Sequence, residues 1–236
     1  MLKVLTSRAI QYAYDALVPG FGMEIVTTLS STGAIPGQVA SDTPLDLVIA
    51  TSAAIDRFIA EGKVHPGTRV DLVRSGVGIV VQAGAPRPDI ASGAAVRQAL
   101  LAARSVGYSQ GPSGVYLLEL FGRLGIAAEV AAKAVQSTPG TPVAVYVADG
   151  RAELGFQQVS EIINEPGIDF VGPLPGDIQN ITVFSSGVLT RAANPDGARA
   201  LQAFLSAPEA GGVYRKHGLD PAGGLNPGTA PRYGGR

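Results

Sequence analysis

Short apolar runs alternate along the chain with segments in which apolar residues recur at helical spacing. The runs Lys3–Leu5, Met23–Thr28 and Leu45–Ala50 predict three β-strands, and helical patterns at about 8–17 and 52–61 lie between and after them. The run 45–50 is almost wholly apolar, which is typical of a strand buried on both faces of a parallel sheet. This alternation predicts an α/β fold with mostly parallel sheets and flanking helices.

Two longer β-like segments, 70–81 and 181–189, stand apart from this alternation. The first carries Ser75-Gly76 as a predicted break. Each segment is long enough to pass from one lobe to another, so together they predict a two-segment hinge. The resulting division is lobe one at 1–80 plus 188–221, lobe two at 81–187, and a loose Gly- and Pro-rich tail at 222–236.

The remaining elements follow the same two periodicities. A helix beginning at Ser30-Ser31-Thr32 and running toward Ala40 is expected to be short or imperfect, because Pro36 falls within it. Further along the chain the patterns predict helices at 92–103, 113–124 and 141–149, strands at 106–109, 153–157 and 168–171, and closing helices that begin at Asn194-Pro195 and Ala207-Pro208.

Composition removes several classes of function. The 236 residues carry 18 basic and 19 acidic side chains, a formal charge of −1, with no run of Lys or Arg, so a dedicated nucleic-acid binder is not expected. Cysteine is absent, which excludes disulfides and thiolate metal sites. We expect no cofactor and no metal. No apolar stretch approaches the roughly 18 residues of a membrane span, so no membrane insertion is expected.

Four predicted helix starts carry small polar residues. The amino end of a helix presents unpaired N–H groups and a partial positive charge, and several such ends can bind an anion together. In doubly wound sheets these turns follow the carboxyl ends of strands, where ligands bind. The alternative, that these residues only cap their helices, stays open. The four starts are Ser7-Arg8, Ser30-Ser31-Thr32, Pro112-Ser113-Gly114 and Thr141-Pro142-Val143.

Four segments carry a resemblance to a known family. They are Asn194–Ala210 with Tyr214–Leu219, Leu45–Ala50, Ser109–Tyr116 and Ala152–Phe156. Together they resemble type II periplasmic solute-binding proteins, most of all the molybdate-binding group, over residues 3–220. The resemblance implies a two-lobed type II periplasmic-binding-protein fold with a ligand cleft between the lobes.

The resemblance also implies a set of ligand-binding positions. Two of them depart from the family pattern: Gln158 replaces a tyrosine, and Arg8 stands where molybdate binders have a small polar residue. An Arg fork suits a carboxylate better than a tetrahedral oxyanion, so a small carboxylate is preferred as the ligand, although Arg8 as a solvated surface residue stays open. The implied ligand-binding residues are Ser7, Arg8, Ser31, Ser113, Val143 and Gln158, with Tyr108, Tyr116 and Gln157 as further candidates.

Three functions remain open at this point. The first is a monomeric, ABC-transporter-receptor-like solute-binding protein that closes on a small anion, with an ABC permease as partner. The second is an aconitate isomerase-like enzyme on the same scaffold, whose proton transfer needs a base. The third is a cytoplasmic ligand sensor. The candidate bases are His65, His217, Glu161 and Asp149.

The cellular compartment of the protein also remains open between two alternatives. The family resemblance implies a periplasmic protein. Residues 1–5 run directly into a predicted strand and show no signal peptide, so a cytoplasmic location is the alternative.

Overall fold

The structure is a computed structural model that describes residues 1–224 of the chain. Its strands are β1 Leu2–Ser7, β2 Ile25–Ser30, β3 Leu47–Thr51, β4 Val70–Gln82, β5 Val106–Tyr108, β6 Ala134–Gln136, β7 Leu154–Gln158, β8 Ile168–Pro173, β9 Ile181–Val188 and β10 Asp220–Pro221. Its α-helices are α1 Gln11–Leu17, α2 Ile35–Ala40, α3 Ser52–Ala60, α4 Gly93–Ala102, α5 Pro112–Arg123, α6 Ala127–Ala131, α7 Val143–Ala148, α8 Val159–Ile162, α9 Pro195–Ser206 and α10 Gly211–Lys216. Short 3₁₀ helices lie at Arg8–Ile10, Val18–Phe21, Gly176–Ile178, Pro208–Ala210 and Ala222–Gly224.

The chain divides into two compact units. The first contains Met1–Ser75 and the chain from Thr182 onward, and the second contains Gly76–Ile181. The chain therefore passes between the units inside β4 and at the start of β9. The sequence placed these divisions at 80/81 and 187/188. The difference arises because β4 runs unbroken through Ser75-Gly76, so no loop marks the boundary.

The first unit is a sheet with helices on both faces. Strands β2, β1 and β3 are parallel neighbours in that order, and β9 runs antiparallel along β3. Alternate residues of β3 face opposite sides of the sheet. Leu47 and Ile49 pack in the cluster that includes residues of α1, α9 and α10, whereas Val48 and Ala50 pack in the cluster that includes residues of α2 and α3.

The second unit repeats this plan. Strand β7 lies between β4, to which it is antiparallel, and β5, to which it is parallel, and β6 continues the parallel side. Strand β8 pairs antiparallel with β4. Phe156 of β7 packs in the cluster that contains residues of α4 and α5, and Val80 of β4 packs with residues of α7. The predicted α/β fold with flanking helices is confirmed, and its sheets are mixed, because β4, β8, β9 and β10 add antiparallel pairings to the parallel ones.

Several sequence predictions about single elements were wrong. The second helix begins at Ile35 and not at Ser30–Thr32, because Pro36 is tolerated only in the first turn of a helix. The expected break in the fourth strand does not occur. Of the predicted tail, residues 222–224 form a 3₁₀ turn, and residues 225–236 lie outside the described residues.

Candidate functional site

Three parallel strands of the first unit end at polar residues on one edge of the sheet. Strand β1 ends at Ser7, β2 at Ser30 and β3 at Thr51. Ser7 and Ser30 are directly paired in the sheet register. Because the carboxyl ends of neighbouring parallel strands share one edge, these hydroxyls and the turns that follow them define the candidate binding edge of this unit.

Ser7 and Arg8 occupy the turn after β1. The Ser7 side chain is 1% exposed, accepts the Ala9 amide at 3.3 Å and lies 3.5 Å from the Thr32 hydroxyl. Ser7 therefore caps the 3₁₀ helix and tethers the turn after β2. Arg8 is exposed and forms no ion pair within residues 1–224, so its guanidinium remains available to an acidic ligand.

Ser31 does not cap a helix. Its carbonyl oxygen accepts the amides of Ala34 and Ile35, at 3.0 and 3.3 Å, and so closes a turn ahead of α2. The residue at the cap position of α2 is Ala34, which has no capping side chain. The half-buried Ser31 hydroxyl has no hydrogen-bond partner in the described part of the chain. The capping prediction for Ser31 is therefore wrong, and its hydroxyl is left as a donor at the candidate edge.

The turn between β5 and α5 carries the first candidate ligand-binding hydroxyls of the second unit, those of Ser109 and Ser113. Ser109 Oγ accepts the Gly111 amide at 3.2 Å and lies 3.4 Å from Ser113 Oγ. Ser113 is 1% exposed. The sequence interpretation of Ser113 as a helix-start residue is correct, because α5 begins one residue earlier with Pro112.

The start of α7 is arranged differently from the sequence prediction. The Val143 amide, which was expected to face a ligand, donates to Gln157 Oε1 at 2.8 Å. That amide is therefore already satisfied inside the protein. Gln157 is 5% exposed and Gln158 is 1% exposed, and as neighbours in a strand their side chains point to opposite faces of the sheet.

The loop that leads into α7 is held by Tyr146. The Tyr146 hydroxyl accepts the Thr138 amide at 3.1 Å and donates to Thr138 Oγ1 at 3.3 Å. The hydroxyl bond with the Thr138 side chain lowers the pKa of Tyr146, and the cation of Arg151, whose Cζ lies 3.6 Å from the ring centroid, lowers it further. These contacts fix the position at which α7 begins.

Tyr108 and Tyr116, the two weaker aromatic candidates, have structural roles. Tyr108 packs edge-on against Phe121 in the core of the second unit. Tyr116 donates its hydroxyl to the Ile178 carbonyl at 2.7 Å and accepts a bond from Arg123 at 2.8 Å. Both hydroxyphenyl groups are accounted for by packing or tethering.

The opposite edge of the second unit holds a cavity of about 520 Å³, at the amino ends of β5 and β7. Its polar wall is an ion pair in which Arg104 Nε lies 2.9 Å from Glu153 Oε2. The amide and guanidinium of Arg104 lower the pKa of Glu153, and the third charged residue of the lining, Arg87, lies 3.8 Å from Asp169.

No metal centre is indicated by the described chain. Within residues 1–224, no three His, Asp or Glu side chains are grouped so that they could hold an ion. The helices of this same region include none with the length and apolarity that a bilayer crossing requires.

Solved structures with this arrangement are two-lobed binding proteins. The fold matches the periplasmic molybdate-binding protein of Azotobacter vinelandii with a TM-score of 0.78 at 18% identity, over 93% of this chain and 98% of that one. It matches the sulfate-binding protein SubI of Mycobacterium tuberculosis with a TM-score of 0.76 at 18% identity, over 94% and 87% of the two chains. The fold of this chain is therefore the one found in these two binding proteins.

The sequence comparison identifies the family. Residues 2–220 match the family described as bacterial extracellular solute-binding protein, and the chain belongs to it. It is 38% identical over 230 residues to an aconitate isomerase from Pseudomonas sp, covering 93% of this chain and 87% of the relative. It is 23% identical over 202 residues to the molybdate-binding protein ModA of Azotobacter vinelandii, covering 84% and 79%.

Proposed function

We propose that this protein binds a small polycarboxylate of the size and charge of aconitate. The observation that carries the proposal is the unpaired, exposed guanidinium of Arg8 beside the buried Ser7 at the end of β1. A guanidinium presents two parallel N–H donors that match a carboxylate, and the pair is stronger than a bond between neutral groups. The 38% identity to an aconitate isomerase over nearly the whole chain supports the same ligand class.

The donors of both units contribute to binding in this proposal. The proposed ligand-binding residues are Ser7, Arg8 and Ser31 in the first unit and Ser113 and the end of β7 in the second. The segments at which β4 and β9 connect the units are the proposed hinge. The lobe boundaries predicted from the sequence, 1–80 plus 188–221 and 81–187, stay a prediction, and the compact units divide at Ser75/Gly76 and at Ile181/Thr182.

A thermal-unfolding panel tests the ligand class. Purified protein is heated with cis-aconitate, trans-aconitate, citrate, molybdate or sulfate, and a ligand at about 100 times its Kd stabilises by about 2.7 kcal/mol. We expect the tricarboxylates to raise Tm, and we expect Arg8→Ala to remove most of that rise. Arg199→Ala is the matched control, because Arg199 pairs with Asp196 on the exposed side of α9. A rise with molybdate or sulfate alone would contradict the proposal.

A second candidate function is isomerisation of the bound aconitate, favoured by the same 38% identical relative. In that reaction a base removes a proton from the CH₂ carbon, the double bond shifts along the allylic unit, and a proton is returned to the former alkene carbon. The step is redox-neutral, needs no cofactor and can exchange the cis and trans isomers. It requires one general base within reach of the carbon.

Two of the four candidate bases suit this step. Glu161 lies in the first turn of α8, directly after the carboxyl end of β7. His217 stacks on Tyr12 at 6.2 Å, and burial together with Lys216 lowers its pKa, which favours the neutral, proton-accepting ring. Asp149 is exposed and held by Arg151, whose hydrogen bonds lower the pKa of the carboxyl and weaken it as a base. His65 lies in the loop after α3, where its amide donates to the Val188 carbonyl at 2.9 Å, and Val188 pairs with the amino end of β3, away from the candidate binding edge.

An NMR experiment separates catalysis from binding alone. Each aconitate isomer is incubated with the protein in D₂O, and isomer composition and deuterium incorporation are followed. Turnover that is lost in Glu161→Gln or in His217→Gln identifies the base. Binding without exchange or isomerisation supports instead a solute-binding receptor, the role that the family description suggests, in an extracellular or periplasmic location and with an ABC permease as the proposed partner.

A further inference from the structure

Close packing of α7 on the sheet brings Gln157 to the start of that helix. A Cβ on Gly155 would lie 2.6 Å from a methyl carbon of Val147, and a Cβ on Gly107 would lie 2.9 Å from the Ala152 Cβ and 3.1 Å from a methyl carbon of Val143. Only glycine at these two positions lets the helix lie this close to β5 and β7. The Val143 amide thereby comes within 2.8 Å of the Gln157 side chain.

This hydrogen bond fixes the orientation of the Gln157 amide. A backbone N–H can only donate, so the atom that it meets must be Oε1, and Nε2 must point the other way. Nε2 carries two N–H donors, and it has no hydrogen-bond partner within residues 1–224. The residue is 95% buried, since its relative exposure is 5%. Nε2 is not among the described side-chain atoms that are buried without a partner, so it reaches the surface, where water or a ligand can accept from its two N–H groups.

The same bond changes what the second unit offers to a ligand. A bare amide at the start of α7 would suit a tetrahedral oxyanion, which is bound by several converging N–H groups. Here the Gln157 carbonyl takes that amide, and the helix is only six residues long. The group left for a ligand is the planar NH₂ of Gln157, polarised by the hydrogen bond to its carbonyl.

The loop before α7 fixes the position of Val143, and through it the orientation of the Gln157 NH₂ group, in the absence of a ligand. The loop ahead of α7 is fixed by the paired hydrogen bonds between Tyr146 and Thr138, so Val143 does not depend on a ligand for its position. A donor with a fixed direction loses little conformational entropy when it binds.

From these observations we infer that Gln157 is a ligand-binding residue that donates from Nε2 to a carboxylate, and that its carbonyl blocks the α7 amide against tetrahedral oxyanions. The inference rests on the proposed function, because it assigns the group in the second unit that receives the polycarboxylate. It also places the selecting interaction at Gln157 and not at Val143.

Calorimetric titration with trans-aconitate tests this assignment. Gln157→Glu keeps an acceptor for the Val143 amide but replaces the NH₂ donor by a negative oxygen, and we expect Kd to rise about 100-fold. Gln157→Ala removes the donor and frees the Val143 amide, and we expect Kd for trans-aconitate to rise about 10-fold while molybdate binding strengthens. Gln82→Glu adds the same charge at an exposed glutamine that donates to the Ala148 carbonyl, and it should change Kd less than 2-fold.

The outcomes separate this inference from the proposed function. If wild-type protein binds trans-aconitate and both Gln157 variants bind it equally well, the role of Gln157 is overturned and the polycarboxylate proposal stands. If wild-type protein binds no polycarboxylate, both are overturned. Circular dichroism and the Tm of each variant confirm that it is folded before titration.

Discussion

The carbonyl group of Ser109 occupies the place where a side chain on Gly114 would begin. A Cβ on Gly114 would overlap the Ser109 carbonyl oxygen and come within 2.7 Å of its carbon. The contact folds the turn after β5 against the first turn of α5, and it is this turn that places Ser109 Oγ beside Ser113 Oγ. The position of Ser113 therefore depends on the absence of a side chain at Gly114.

We predict that Gly114→Ala destabilises the protein by about 2–3 kcal/mol, because the backbone of the turn must move to admit the methyl group. Binding of trans-aconitate should weaken as well, since Ser113 moves with the turn. Urea denaturation and calorimetric titration measure the two effects.

Gly122→Ala in the same helix is the matched control. Nothing lies within 4 Å of a Cβ at that position, and alanine favours a helix more than glycine does. This variant should gain about 0.5–1 kcal/mol of stability. Equal stability losses in both variants would show that the contact with Ser109 is not the cause.

Alanine substitutions at Ser31 and at Thr51 should have different effects, because one removes a candidate ligand donor and the other removes a helix cap. The Ser31 hydroxyl has no partner in the part of the chain that is described, so Ser31→Ala should change stability by less than about 0.5 kcal/mol and weaken trans-aconitate binding several-fold. Thr51 Oγ1 accepts the Ala54 amide at 3.3 Å at the start of α3, so Thr51→Ala should cost about 1 kcal/mol of stability. Thermal unfolding and titration distinguish the two patterns, and a stability loss at Ser31 with unchanged binding would assign it a structural role.

The sequence predicted those elements whose hydrophobic pattern is long enough to be decisive. A strand at Leu45–Ala50 was predicted because an almost wholly apolar run is typical of a strand covered on both faces, and the structure has it at Leu47–Thr51 with its first four residues buried. Short elements such as α6, β6 and α8, each of three to five residues, carry too few positions to establish a period.

Only those residues of the candidate site that lie close to predicted strand ends could be proposed from the sequence. Ser7, Arg8 and Ser113 follow strand ends that the pattern marks directly. The bond between Val143 and Gln157 joins residues 14 apart in sequence, and it depends on how closely α7 packs on β5 and β7. Gly107 and Gly155, which permit this close packing, can be read from the sequence, but the sequence does not show which residues of α7 pack against them.

Asp46 ties the start of the first strand to the start of α9. Its two carboxylate oxygens accept the Lys3 amide at 2.8 Å and the Asn194 amide at 2.9 Å, and the residue is 3% exposed. Asp46→Asn places an NH₂ donor against one of these amides, so we predict a loss of about 2–3 kcal/mol in urea denaturation. Asp196→Asn, at a side chain that is 95% exposed, should change stability by less than about 0.5 kcal/mol. Equal effects of the two substitutions would exclude a buried bridging role for Asp46.

Tyr14 should make the first unit sensitive to alkaline pH. The pKa of Tyr14 is raised to about 12, mainly by burial, against the opposing hydrogen bond with Thr27 and with a smaller contribution from the charge of Asp15. The unfolded phenol ionises near pH 10, so above that pH the folded state holds a proton that the unfolded state has released. The stability from this group is therefore complete below about pH 10 and is lost as the pH rises toward 12. Tyr14→Phe should flatten this decline in urea denaturation between pH 9 and about 11.5. The remaining slope belongs partly to Tyr214, whose pKa burial also raises, so only the double Phe variant should show the full effect. An unchanged alkaline slope in the double variant would mean that neither buried phenol controls it.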